Sequence, residues 1–258
     1  MLHKVIETQN LSFSYNGEEV LKGIDFSIQK GSMVGVIGAN GAGKSTLLKL
    51  LLGILRPKNG RVLYQGKELK KLDKREVARK IAYIPQNSTF WFPFTVKEVV
   101  LMGRAPYLGR FEFETEEDLR VALRAMETVG IKHLGERLVS EISGGEKQLV
   151  SLARALAQEP EVMILDEPAT FLDVKNKTEI MKLLKKLKEE KGIAIIAATH
   201  DVFSGLFYFD KILMLKDGGV FACGDTIEVL KEESLAEVYG IDVGVRWEDG
   251  KIFVFPKE

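Results

Sequence analysis

The sequence predicts an α/β fold with an antiparallel β part at its start and a helical subdomain inserted midway. Three observations predict it. Four short runs, MVGVI, KIAYI, EVMIL and GIAIIAAT, are apolar with little alternation, as parallel strands buried on both faces are. Helical patterns lie between them. Residues 87–158 carry little strand signal and interrupt the strand series, so they read as a helical insertion.

The elements follow in order. LSFSY and GIDFSI flank Asn16-Gly17, a dipeptide suited to a tight hairpin. SMVGVIG is the next strand. KSTLLKLLLGIL is helical by its leucine content, with Arg56-Pro57 as its expected end. TEEDLRVALRAMETVG has Thr115 as cap, Leu119, Ala122, Leu123 and Met126 at helical spacing, and Gly130 as a stop. TEIMKLLKKLKEEKG places Ile180, Leu183, Leu184 and Leu187 on one face, with lysines and glutamates on the solvated one.

Composition narrows the function classes. Of 258 residues, 45% are hydrophobic and 29% charged, a mix that supports a sizeable core. Lys+Arg and Asp+Glu both number 37, which gives no support to a nucleic-acid partner held by bulk charge. The single Cys223 excludes an intrachain disulfide and is expected to be a buried bystander. No signal-peptide pattern opens the chain, and no run reaches the eighteen or so apolar residues of a membrane span. A cytoplasmic location is the expectation.

Chemistry gathers where the apolar runs end. After MVGVI comes a glycine loop; after KIAYIP comes Gln86; after EVMIL come Asp166 and Glu167; after GIAIIAAT comes His200. Ligands in open parallel sheets sit beyond the carboxyl ends of the strands, so these four elements can share one crevice. GANGAGKST fits G-x-x-x-x-G-K-[ST] through Gly38, Gly43, Lys44 and Ser45. Such a loop, with Ala39, Asn40, Gly41, Ala42 and Thr46, turns successive N–H groups toward phosphate oxygens at the positive start of a helix. Lys44 would reach the β- and γ-phosphates, and the Ser45 hydroxyl would hold Mg²⁺. Asp166 and Glu167, adjacent on a strand end, should point apart and do different work. Asp166 would hold Mg²⁺ through water, and Glu167 would polarise the attacking water. Gln86 and His200 gain meaning only beside these groups, as sensors of the γ-phosphate. His3 and His133 read as surface residues. A second anion-seeking turn lies at EISGGEKQ, where Ser143 can cap a helix and Gly144 and Gly145 leave its first N–H groups exposed.

GANGAGKST, Gln86, ISGGEKQ, MILDEP, FLD and ATHD stand in the order found in the ATP-binding-cassette ATPases, which the chain resembles over nearly its whole length. The resemblance implies a P-loop NTPase with one domain over 1–258. Within it, 1–86 and 159–240 form the nucleotide-binding core, 87–158 the helical subdomain and 241–258 a C-terminal tail. It implies ATP and Mg²⁺ as cofactors, Gln86, Glu167 and His200 as catalytic groups, and Ser45, Gln86 and Asp166 around the metal. Tyr15 matches the aromatic that stacks on adenine. Two copies would pair head to tail, with ATP between one chain's Lys44 and the other's Ser143, Gly144 and Gly145, and Asp173 crossing the interface. Ser143→Arg should then spare ATP binding and block turnover. Membrane permease subunits, met through the helical insertion, and indirectly a substrate-binding protein are the implied partners, at the inner face of the membrane.

A finer resemblance comes from VKEVVLMGRAPYLGRF, DEPATFLDV and VYGIDV, which are similar to segments of iron-siderophore, haem and cobalamin importer ATPases. The alternatives are a soluble non-transport cassette ATPase, such as one for iron-sulfur cluster assembly, and a nucleotide-binding scaffold without catalysis. Ile142, Leu149 and Ala169 depart from the family's usual leucine, arginine and threonine without removing a phosphate, metal or water-activating group. STFWFPF, residues 88–94, collects four aromatics, read either as subdomain packing or as an anchor for the membrane subunit. On the second reading Trp91→Ala should weaken assembly and spare nucleotide affinity.

Overall fold

The computed structural model describes residues 4–86, 92–170, 172–203, 205–248 and 251–257. Strands β1 (Lys4–Tyr15) and β2 (Glu18–Gln29) form the expected hairpin, with Asn16 and Gly17 both at positive φ, 48° and 92°. β3 (Met33–Ile37) leads through a glycine loop into α1 (Lys44–Leu51). β4 (Asn59–Tyr64) and β5 (Lys67–Glu68) complete an antiparallel sheet of order β2-β1-β4-β5. Next come α2 (Lys74–Lys80) and β6 (Ile81–Ile84). The strand-poor stretch holds α3 (Val96–Leu101), α4 (Glu116–Thr128) and α5 (Gly144–Ala157). β7 (Val162–Asp166), α6 (Val174–Lys191), β8 (Ala194–Ala198), β9 (Lys211–Lys216) and β10 (Gly219–Asp225) follow. The chain closes with α7 (Thr226–Val229), α8 (Glu232–Tyr239) and the hairpin β11 (Val243–Glu248) and β12 (Lys251–Pro256).

The central sheet has the order β10-β9-β3-β8-β7-β6, parallel except for β10. Its strands feed two cores, which explains their lack of alternation. Val34, Val36, Ile164 and Ile196 pack with α1 and the antiparallel sheet. Met33, Ile37, Leu165 and Ile195 pack with the helical side. The sheet is therefore buried on both faces, as its sequence requires.

Several expectations change. α1 stops at Leu51, well before Arg56-Pro57. Gly53, at φ 68°, reverses the chain, and the N–H groups of Gly53 and Ile54 donate to the Leu50 and Lys49 carbonyls. Glycine supplies the left-handed residue that such an ending needs. On α4 the core face runs through Val121, Ala122, Ala125 and Met126, while Leu119 is exposed. Thr115 caps it with Asp118 as the reciprocal partner. Cys223 lies exposed on β10, at the sheet edge, and is not buried. The expected tail, 241–258, includes the β11–β12 hairpin, whose Val243, Ile252 and Val254 are buried in the helical-side core.

The GRAPY segment ties the helical insertion together. Arg104 is buried and its Nε donates to Asp118 Oδ1 at 2.9 Å, while Nη1 reaches the Ala157 carbonyl and Glu159. The Tyr107 ring lies against two guanidinium groups, Arg104 at 3.8 Å and Arg79 of α2 at 4.9 Å from its centre. Of the aromatic stretch, Ser88 to Trp91 lie outside the described residues, so the Trp91 expectation does too, as does His3. Phe92 is 68% exposed, and Phe94 packs against the helical-side core.

Candidate active site

The loop from Gly38 to Gly43 starts where β3 leaves its neighbours. A Cβ on Gly38 would fall 2.4 Å from the Leu215 carbonyl oxygen, so only glycine allows the chain to turn there. Ala42 is buried and its N–H donates to the Ala39 carbonyl; Asn40 and Gly41 face solvent. Lys44 is buried, and its ammonium donates to the Gly38 and Ala39 carbonyls at 2.8 and 3.0 Å. Burial pushes the lysine pKa down, against the opposing pull of Glu167 and Asp166. A buried cation whose hydrogen bonds go to neutral carbonyls gains from an arriving phosphate anion. Thr46 follows, half-buried, on α1.

Ser45 Oγ donates to Asp166 Oδ1 at 3.1 Å, which brings the first turn of α1 to the end of β7. Burial raises the Asp166 pKa, and the Ser45 hydrogen bond works against that shift. A hydroxyl beside a carboxylate is a hard oxygen pair, the donor chemistry that suits Mg²⁺ when phosphate and water complete its shell. Among the described residues no cluster of three or more His, Cys, Asp or Glu side chains could hold a metal alone. The pair therefore fits a metal that arrives with a nucleotide.

Strand geometry alone has Glu167 pointing opposite to Asp166 at the end of β7. The two do diverge, but for another reason. β7 ends at Asp166, and Glu167 adopts φ 50°, the left-handed conformation that non-glycine residues rarely hold. Its N–H donates to the Ala198 carbonyl at 3.0 Å. This turn aims the carboxylate at two other strand ends. Oε1 lies 2.8 Å from His200 Nδ1, and Oε2 accepts from Gln86 Nε2 at 2.8 Å and Thr170 Oγ1 at 2.9 Å. With the carboxylate ionised, His200 Nδ1 carries the hydrogen in that contact. Gln86, Glu167 and His200 thus form one cluster, in which Glu167 is largely shielded and His200 half exposed.

Thr170 is the member sequence reasoning missed. Ala169 stands where the family commonly has a threonine, and the hydroxyl comes instead from the next residue, Thr170. The spacing from Glu167 to Thr170 is the signal that could have found it. Lys177 of α6 and Asp201, next to His200, form an ion pair that the sequence alone does not reveal.

The second turn stands apart. Ser143 caps α5 through a reciprocal box: the Glu146 N–H donates to Ser143 Oγ, while Ser143 N–H and Oγ–H both donate to Glu146 Oε2 at 2.7 Å. The serine hydroxyl is engaged inside its own cap, leaving the Gly144 and Gly145 N–H groups as the anion-seeking elements. Ser143 and Gly144 are exposed, and a Cβ on Gly145 would meet the Asn176 amide at 2.9 Å. Asn176 in turn donates to Asp173, the exposed cap of α6. Asn176 thus links Asp173 to the SGG turn, with Ser143, Gly144 and Asp173 exposed and Gly145 buried, and Phe171 of the FLD motif lies outside the described residues. Tyr15 is 43% exposed at the end of β1, packed edge-on against Phe13. His133 is exposed as expected.

Known proteins with this arrangement are numerous. The ABC transporter family matches residues 21–170. An uncharacterized ABC transporter ATP-binding protein of Haemophilus influenzae is 40% identical, over 91% of this chain and 89% of its own length. The petrobactin import ATP-binding protein of Bacillus anthracis is 35% identical, over 98% of this chain and 93% of its own. Among solved structures, an inward-facing putative metal-chelate type ABC transporter aligns with TM-score 0.86 and 30% identity, over 99% of this chain and 98% of the other. With these motifs at four adjoining strand ends, the chain belongs to the ABC transporter family, as an ATP-binding subunit that hydrolyses ATP.

Proposed function

We propose that this ATPase powers a metal-chelate importer, with iron-siderophore, haem or cobalamin as the cargo class, working as a head-to-tail pair docked on membrane permease subunits. The observation that carries the catalytic part is the Glu167 carboxylate held between His200, Gln86 and Thr170 beside the Ser45–Asp166 pair. The cargo class rests on similarity to the petrobactin importer ATPase and to the metal-chelate type transporter.

In this reading residues 38–46 wrap the phosphates of ATP, Lys44 leaves its resting carbonyls for them, and Tyr15 stacks on adenine. Ser45 and Asp166, with Gln86 nearby, would hold Mg²⁺, which supplies neutralisation of charge on the β- and γ-phosphates. Glu167 accepts a proton from the attacking water as its oxygen bonds to the γ-phosphorus, and the bond to the β-phosphate oxygen breaks to give ADP and phosphate. His200 and Gln86 rest on Glu167; each reaches the γ-phosphate only by releasing that contact. The base is thus freed when the sensors are occupied.

The outward position of Ser143, Gly144 and Asp173 supports completion of the site by a second copy. Closure of that pair around ATP shifts the population of permease conformations, and hydrolysis resets it. No helix among the described residues is long and apolar enough to cross a membrane, so attachment at the inner face would come through the permease. A substrate-binding protein would deliver the cargo.

Purification of the tagged chain from detergent-solubilised native membranes tests this reading. A many-helix permease should co-purify, and a ferric siderophore with its binding protein should stimulate turnover of the reconstituted complex. Recovery with soluble cluster-assembly proteins alone would favour the non-transport alternative.

A further inference from the structure

The end of β3 poses a hydrogen-bonding problem. Its pairing with β8 reaches Val36 and its pairing with β9 reaches Ile37, so the buried N–H of Gly38 lies past the ladder. A buried amide left without an acceptor is destabilising, because its lost water is not replaced. Here the acceptor is the hydroxyl of Tyr239, at 2.8 Å, from the far end of the chain. The Gly38 carbonyl meanwhile accepts from Lys44 Nζ. Both polar groups of the first loop residue are therefore tied, one to the loop's own lysine and one to α8.

Tyr239 is the last residue of α8, and α8 is itself held firmly. Leu235 and Val238 are buried, and Glu237 pairs with Lys216 of β9. Glu232 accepts from the Val245 N–H at 2.9 Å and from Lys257, which fastens the helix to the β11–β12 hairpin. Burial raises the Tyr239 phenol pKa, and the charge of Asp201 adds to the shift, so the hydroxyl is neutral and offers a lone pair.

We propose that Tyr239 is a positioning residue for nucleotide: its hydroxyl fixes Gly38, and with it the start of the phosphate loop, so the C-terminal segment takes part in ATP binding. Without the hydroxyl the freed N–H turns to water and the loop start relaxes. ATP binding must then restore it, and part of the penalty appears as lost affinity. This inference rests on residues 38–46 being the phosphate loop.

The test is titration of the full-length chain with a fluorescent ATP analogue and Mg²⁺, alongside thermal melting. Tyr239→Phe keeps the ring and should weaken binding about three- to tenfold, the size of one hydrogen bond. Val254→Ala, in the β11–β12 hairpin that packs beside α8, should lower the melting temperature and leave affinity unchanged. Lys44→Ala should abolish binding; if it does not, the phosphate-loop reading itself fails. If Lys44→Ala abolishes binding while Tyr239→Phe binds as wild type, the positioning role is wrong. Equal loss of affinity in Val254→Ala and Tyr239→Phe would overturn it as well, because general destabilisation would then suffice.

Discussion

Glu167 Oε1 and His200 Nδ1 lie 2.8 Å apart, so the carboxylate after β7 and the imidazole after β8 form one unit. The parallel register that pairs Asp166 with Ala198 sets this meeting, since it brings the ends of β7 and β8 level. The left-handed turn at Glu167 then directs the carboxylate sideways.

Glu167→Gln keeps the shape of this unit and removes its proton acceptor. Turnover should fall about 10²- to 10⁴-fold, the usual contribution of a general base. Nucleotide affinity should stay close to wild type. Phosphate release assays with parallel nucleotide titration check both halves, and near-normal turnover would remove Glu167 from the proposed role.

Arg104→Ala should destabilise the helical insertion by about 3 kcal/mol, because it leaves the buried Asp118 carboxylate without its counter-charge, held only by Thr115. Denaturant unfolding measures this loss. Arg104→Lys should recover only part of it, since the guanidinium also serves Ala157 and Glu159 and stacks on Tyr107. A loss below about 1 kcal/mol would mean the pair is no better than a surface one.

The same pair predicts an acid response. Hydrogen bonds from the Thr115 N–H and hydroxyl, then from Arg104, hold the Asp118 pKa down from an ordinary 3.8 to about 2. A depressed carboxylate stabilises the fold above its unfolded pKa and loses that contribution as pH falls through its folded one. The stability gap between wild type and Asp118→Asn should therefore shrink as pH drops from about 4 toward 2. Melting curves at stepped pH show it, and a constant gap would contradict the assignment.

Much of this was legible in the sequence, for definite reasons. MVGVI, KIAYI, EVMIL and GIAIIAAT lack alternation because two cores claim their opposite faces, so strand type and burial could be read together. Thr115 and Ser143 could be read as caps because a capping box is local. What escaped was set by distance or by backbone strain. Nothing near Glu167 in sequence announces φ 50°, which depends on the β8 carbonyl it meets. Arg104 looked like part of a family motif, and its burial against Asp118 and Ala157 joins segments far apart in the chain. Pro57 is a conspicuous breaker in the sequence, but Gly53 ends α1 first.

The central claim is that each ATP site is shared between two copies, and mixing two inactive variants tests it most directly. Lys44→Ala disables the phosphate loop and keeps the SGG turn; Ser143→Arg does the reverse. Each alone should hydrolyse little ATP. In a symmetric pair, a one-to-one mixture yields mixed dimers with one intact shared site, so turnover should return to about a quarter of wild type. If the mixture stays as inactive as its two components, the sites are not shared across the pair.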